Sequence, residues 1–197
     1  MVSPVAADRR YRKVILIENT SMEEPRAKGL SLWLMPEGVT HERLAAQIDR
    51  LAERLGTARF APHLTLLPGL PGPESNVVDA ARALAGELGP FSLEPSGVDG
   101  AETHFRCLFF RVQASEALRA AQAHAARRFG RAPDPSFDPH LSLVYGTLDA
   151  RVKAELSREL ACEMPAPFEA RRLHVWRTEG TVGEWGSLAS FGLTPDV

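Results

Sequence analysis

At 197 residues the chain has room for one domain, or for two small lobes that share a core. Its 44% hydrophobic and 24% charged residues are those of an ordinary globular protein rather than a disordered or fibrous one. A formal charge of −2 excludes bulk electrostatic binding to long nucleic acid, so an anionic ligand must be held by a local site.

Cys107 and Cys162 are too few for a disulfide framework, and no stretch reaches the roughly 18 apolar residues of a membrane span. Met1 to Arg12 lacks the apolar centre of a secretory signal. A reduced, cytoplasmic setting and a monomeric protein are the expectations, with no membrane contact.

Along the chain, residues 1–27 read as an N-terminal extension, with Val14–Ile17 as a short strand and Glu18–Pro25 as loop. A single bilobal domain is expected over 28–197. Gly29–Met35 is apolar, strand-length and stopped by Pro36. Thr40 is placed to cap a helix through Leu44, Ile48, Leu51 and Leu55, which Gly56 closes. A short strand follows, ended by Pro68-Gly69. A helix over about 75–88 carries Val78, Ala81, Leu84 and Leu88 on one face. Strands are expected over 91–98 and 105–112, then an Ala- and Arg-rich helix over about 117–129. A second short strand precedes a helix over about 149–162, and strands over 168–177 and 186–193 finish the chain. This order predicts an α+β fold of two lobes related by a pseudo-twofold, with antiparallel sheets lining a central cleft and helices packed outside.

The two short strands carry one phrase written twice. Phe60-Ala-Pro-His63-Leu-Thr65-Leu-Leu67 returns as Phe137-Asp-Pro-His140-Leu-Ser142-Leu-Val144. Residues two apart on a strand share a face, so His63 joins Thr65 and His140 joins Ser142, while the intervening leucines anchor the opposite face. Two facing lobes would set two imidazoles and two hydroxyls around one cleft. An imidazole titrates near pH 6.5, so one can act as base while the other acts as acid. The hydroxyls can donate to non-bridging phosphate oxygens as charge develops. Which histidine takes which role stays open.

Other chemistries find less support. No Cys or carboxylate stands at zinc-ligand spacing from either histidine, and no Gly-x-Ser-x-Gly elbow is present. No metal or cofactor is called for. His41, His124 and His174 read as surface or satisfied histidines, His104 as a residue near a loop, and Arg127, Arg128 and Arg131 as a solvated helix end.

These motifs resemble the 2H phosphoesterase superfamily and, within it, the cyclic phosphodiesterases of plants and fungi. The likeness is carried by Ser31-Leu-Trp33-Leu-Met-Pro36-Glu37, by both His-x-Thr/Ser phrases, by Tyr145-Gly146 after the second, and by Thr178-Glu-Gly180-x-Val182-x-x-Trp185. It spans about residues 28 to 193. The resemblance implies metal-independent hydrolysis of a small cyclic phosphate on ribose, a nucleoside 2′,3′-cyclic phosphate or ADP-ribose 1″,2″-cyclic phosphate, the latter a by-product of tRNA splicing. It makes His63, Thr65, His140 and Ser142 catalytic and puts Trp33 and Tyr145 near the substrate. Trp33 also reads as a core residue of an apolar strand. An enzyme of the same superfamily acting on 2′,3′-cyclic RNA ends and a non-catalytic nucleotide-binding module are the alternatives.

Overall fold

A computed structural model describes residues 24–194. The short strand expected at Val14–Ile17 lies outside the described residues. Two runs of six elements repeat. The first is β1 (Leu30–Leu34), α1 (Gly38–Leu55), β2 (Leu64–Leu70), α2 (Glu74–Glu87), β3 (Phe91–Leu93) and β4 (Pro95–Asp99). The second is β5 (Leu108–Val112), α3 (Glu116–Arg128), β6 (His140–Val144), α4 (Ala150–Ala161), β7 (Phe168–Ala170) and β8 (Arg172–Arg177). Each element of the second run begins 76 to 78 residues after its counterpart, and β9 (Gly186–Gly192) is added at the end.

The strands pair antiparallel in the order β4-β5-β6-β2-β1-β8-β9, while β3 pairs with β7 in a separate two-stranded ribbon. The order is palindromic about the boundary between β6 and β2. There the halves meet through a single registered pair, Leu64 with Leu141. Each half also lends a strand to the other: β4 pairs with β5, and β8 returns to pair with β1. Helices follow the same exchange, α1 packing against β6 and α3 against β2.

Strand alternation separates core from cleft. Leu64, Leu66, Leu141 and Leu143 are at most 1% exposed and pack with Leu32, Leu34, Leu44, Ile48 and Leu51. Each such leucine contributes about 1.5–3 kcal/mol of burial, which holds the opposite, polar face of β2 and β6 in place.

Several boundaries depart from the pattern in the chain. Helix α1 starts at Gly38, so Thr40 lies inside it rather than capping it. Gly56 closes it as expected, left-handed (φ 68°) and donating to the Ala52 carbonyl. The phrases are strand only from Leu64 and His140 onward, since Pro62 and Pro139 withhold the backbone N–H a ladder needs. Strand β2 then runs through Pro68-Gly69 to Leu70. It absorbs one extra residue against β1 there, with Gly69 at φ 63°, so the pair makes a bulge instead of a stop. On α2 the buried stripe is Val77, Ala81, Leu84 and Ala85; Val78 and Leu88 are only partly buried. The single strands expected over 91–98 and 168–177 each divide, at Glu94 and Arg171, into one piece for the ribbon and one for the main sheet. Strand β5 begins at Leu108, because His104–Arg106 coil into a 3₁₀ turn. Beyond Lys28, Ala27 exchanges backbone hydrogen bonds with Gly180 (2.9 and 3.0 Å). Arg26 lies 3.1 Å from the Glu184 carboxylate.

Candidate active site

The pairing of Leu64 with Leu141 has an immediate consequence. Extending that antiparallel register one residue either way sets His63 across from Ser142 and Thr65 across from His140. All four polar side chains therefore share the face away from the leucines, and all four line one cavity of about 440 Å³.

The two imidazoles are held alike. His63 Nδ1 lies 2.7 Å from the Ala61 carbonyl, and His140 Nδ1 lies 2.9 Å from the Asp138 carbonyl. A carbonyl only accepts, so Nδ1 carries the proton in both rings. The neutral tautomer then leaves each Nε2 as the lone-pair nitrogen. The repeated proline explains itself here: it fixes the chain between each histidine and the carbonyl two residues back.

Their surroundings differ. His63 is 4% exposed, and burial pushes its pKa down to about 4 despite the Ala61 hydrogen bond that favours the charged form. Its imidazole stacks on the Trp33 indole with ring centroids 3.5 Å apart and planes 8° from parallel. His140 is partly exposed; burial again lowers its pKa, opposed by the Asp138 carbonyl. Its aromatic neighbour is Phe109, 4.8 Å away. Trp33 faces Thr65 across β1–β2 as Phe109 faces Ser142 across β5–β6, so each lobe supplies one ring behind its own histidine.

The depressed histidines make stability depend on pH. His63 and His174 are both pushed down to about 4, mainly by burial. A group whose folded pKa lies below its unfolded value of about 6.5 contributes in full above that value and loses the contribution as pH falls toward the folded one. Urea midpoints should therefore decline between about pH 6.5 and about pH 4, and a His63→Gln/His174→Gln variant should flatten the decline. An equally steep decline in that variant would refute this origin.

Tyr145 breaks the twofold. Its counterpart after the first phrase is Pro68, and its hydroxyl crosses the seam to lie 3.4 Å from His63 Nε2. Burial pushes the phenol well above its ordinary pKa, with the Ser142 hydroxyl acting in the opposite direction. A neutral phenol from one half thus reaches the imidazole of the other. Phe60, the first residue of the phrase, stacks on the Tyr145 ring at 3.9 Å. Ser142 Oγ makes only a long bond to the Phe105 carbonyl, 3.5 Å, and Thr65 is partly exposed. The single Ser142 proton is held by that long contact, so it can be redirected to a ligand.

Trp33 lies in the cavity wall but is 1% exposed, packed between elements and also stacked on Trp176 at 4.4 Å. The more open aromatic walls are Phe105 and Trp185, both partly exposed, with centroids 5.9 Å apart. Sequence reading did not assign either to the site. Lys28, Ser31, Arg106 and Thr178 also reach the cavity. Thr178 donates to the Gly29 carbonyl (3.0 Å), so Ser31 donates to Thr178 (2.8 Å) and keeps its own lone pairs free. No carboxylate lines the cavity among the described residues.

The remaining histidines and arginines stand outside. His124 pairs with Glu87 (2.7 Å), and His104 sits behind the wall, 6.4 Å from the Tyr145 ring. Arg128 pairs with Glu87, and Arg131 bonds the Pro68 and Gly69 carbonyls, bracing the bulge from the outside. A second hollow of about 440 Å³, between the start of α1 and 162–166, contains no imidazole. Among the described residues no three His, Cys, Asp or Glu side chains gather where they could hold a metal ion. No described helix is long and apolar enough to cross a membrane.

Two related lobes, each presenting a histidine and a hydroxyl to one cleft of an antiparallel sheet, define an enzyme of the 2H phosphoesterase class. Residues 40–182 match the 2′-5′ RNA ligase superfamily, and the chain belongs to that superfamily. It is 22% identical over 182 residues to the cyclic phosphodiesterase of Arabidopsis thaliana, covering 88% of this chain and all of that protein. Its fold is similar to that of E. coli LigT complexed with 3′-AMP (TM-score 0.55, 16% identity, 87% of this chain and 99% of that one). It is also similar to TT0787 of Thermus thermophilus (TM-score 0.54, 19% identity, 88% and 100%).

Proposed function

We propose that the protein hydrolyses a cyclic phosphate on ribose to a phosphomonoester, with His63 and His140 as the acid–base pair. The observation that carries this reading is the seam itself. One registered pair of leucines brings two imidazoles and two hydroxyl residues to one cavity. In the reaction one Nε2 takes a proton from water as its oxygen attacks phosphorus. The other histidine, protonated, donates to the ribose oxygen as the P–O bond breaks. Thr65 and Ser142 donate to the non-bridging oxygens, where negative charge concentrates. Phe105 and Trp185 offer flat apolar walls for a base.

Nucleoside 2′,3′-cyclic phosphates and ADP-ribose 1″,2″-cyclic phosphate, the tRNA-splicing by-product, are the substrate class that fits. The name of the Arabidopsis relative supports the same chemistry. A monomeric, cytoplasmic enzyme working without metal or cofactor completes the reading; both cysteines are free thiols, which suits a reducing compartment.

The test is an assay of purified protein on 2′,3′-cyclic mononucleotides in excess EDTA. Turnover should persist, and strict dependence on added metal would overturn the mechanism. Including an oligonucleotide with a 2′,3′-cyclic end ranks the RNA-end alternative. Whether the product is the 2′- or the 3′-phosphate identifies the histidine beside the leaving oxygen.

A further inference from the structure

Inside the histidine motif the two phrases differ in the residue before proline: Ala61 in the first copy, Asp138 in the second. Around His140 that difference closes a ring of contacts. His140 Nδ1 donates to the Asp138 carbonyl, and the Asp138 carboxylate accepts from Arg106 Nη2. The Arg106 guanidinium lies 5.2 Å above the Phe109 ring, and Phe109 packs on His140 at 4.8 Å. The 3₁₀ turn anchors the arginine in turn. Arg106 N donates to the Thr103 carbonyl (3.1 Å), and the Arg106 carbonyl accepts from Ala101 N (2.8 Å). His63 has no such circuit. Its supports are uncharged: the Ala61 carbonyl, the Trp33 ring and the Tyr145 phenol.

We infer that Arg106 and Asp138 are positioning residues for His140, clamping its ring and setting its charge balance, so that the two halves of a duplicated site present unlike imidazoles. The inference rests on the paired-histidine reading of the cleft. Electrostatics support it: Arg106 disfavours protonation of His140, and the Asp138 carboxylate favours it. Other charged or titratable groups also face His140. Arg111 stands across from it on β5 but is bonded to Asp99 of β4, His63 approaches from the residue before β2, and Lys28 and Tyr145 line the same cavity. Arg106 and Asp138 thus form a matched pair of opposite levers on one ring.

Ring titrations of His63 and His140 by NMR, combined with pH–rate profiles on a 2′,3′-cyclic mononucleotide, test this in Arg106→Met, Asp138→Asn and the double variant. The His140 midpoint should rise by about half a unit in Arg106→Met and fall by a similar amount in Asp138→Asn, modest because the pair is partly exposed. It should return toward the parent value in the double variant, and Arg106→Lys should restore it. The His63 midpoint should stay put, and kcat should fall in each single variant with KM little changed. Shifts in one direction for both variants, equal movement of both histidines, or no movement would overturn the inference. If Arg106→Met does not fold, the downward shift in Asp138→Asn decides alone. The titrations need no turnover. A protein inactive on every cyclic phosphate would therefore defeat the proposed function, while the clamp would still be read from the NMR midpoints.

Discussion

His63→Ala and His140→Ala should each lower kcat on a 2′,3′-cyclic mononucleotide by about 10²–10⁴-fold, the range of one general acid or base. The double variant should be little worse than either alone, because each imidazole depends on the proton held by the other. The seam makes this expectation sharp. Both rings line the same cavity with Nδ1 committed to a backbone carbonyl, which leaves each one nitrogen for the reaction, so neither can stand in for its partner. His140 is partly exposed, and its truncation should leave the fold intact. His63 is buried against Trp33 and Tyr145, so His63→Gln is the cleaner companion to alanine there. Single-turnover rates with thermal melts on the same samples separate lost chemistry from lost fold. Either single variant retaining near-full kcat would refute the pairing.

Trp33→Ala should be the most damaging single change to stability, costing about 3–5 kcal/mol by the cavity it leaves. The indole is 1% exposed, stacks on His63 and on Trp176, and meets Trp185 edge-on with centroids 6.0 Å apart. Removing it takes the backing from the His63 ring, so under the proposed mechanism kcat should fall along with the melting temperature. Trp33→Phe separates the residue's two readings. As a support for His63 the smaller ring should keep KM close to the parent value. As a platform for the substrate base it should raise KM, the loss of stability being the same under either reading. Trp185→Ala, at a partly exposed wall, should raise KM with little loss of stability.

The four polar residues of the cleft were readable because a strand has a period of two, which is local information. The repeat also led to the expectation of one shared cleft, but the direct β2–β6 seam was not legible, since it depends on Leu64 meeting Leu141 across 77 positions of chain. The helices were legible for the same local reason, to within a residue or two, because leucines at helical spacing mark a buried stripe. The strand breaks at Glu94 and Arg171 were not read from local pattern: each segment changes sheets there, and the partner strands decide where. Phe105 and Arg106 were hidden by the apolar run 105–112, whose first residues coil instead of extending and so turn toward the cleft. The Tyr145–His63 contact was equally invisible, because it joins opposite halves.

The exchange of β4 and β8 makes the two halves interlocked rather than merely adjacent. A polypeptide holding only one run of elements would expose an edge whose natural cover sits on the missing piece. Such a fragment could satisfy itself by embracing a second copy, as an intertwined dimer. The same interlock should tie the two motifs to one cooperative melting event, the cleft being lost as a whole.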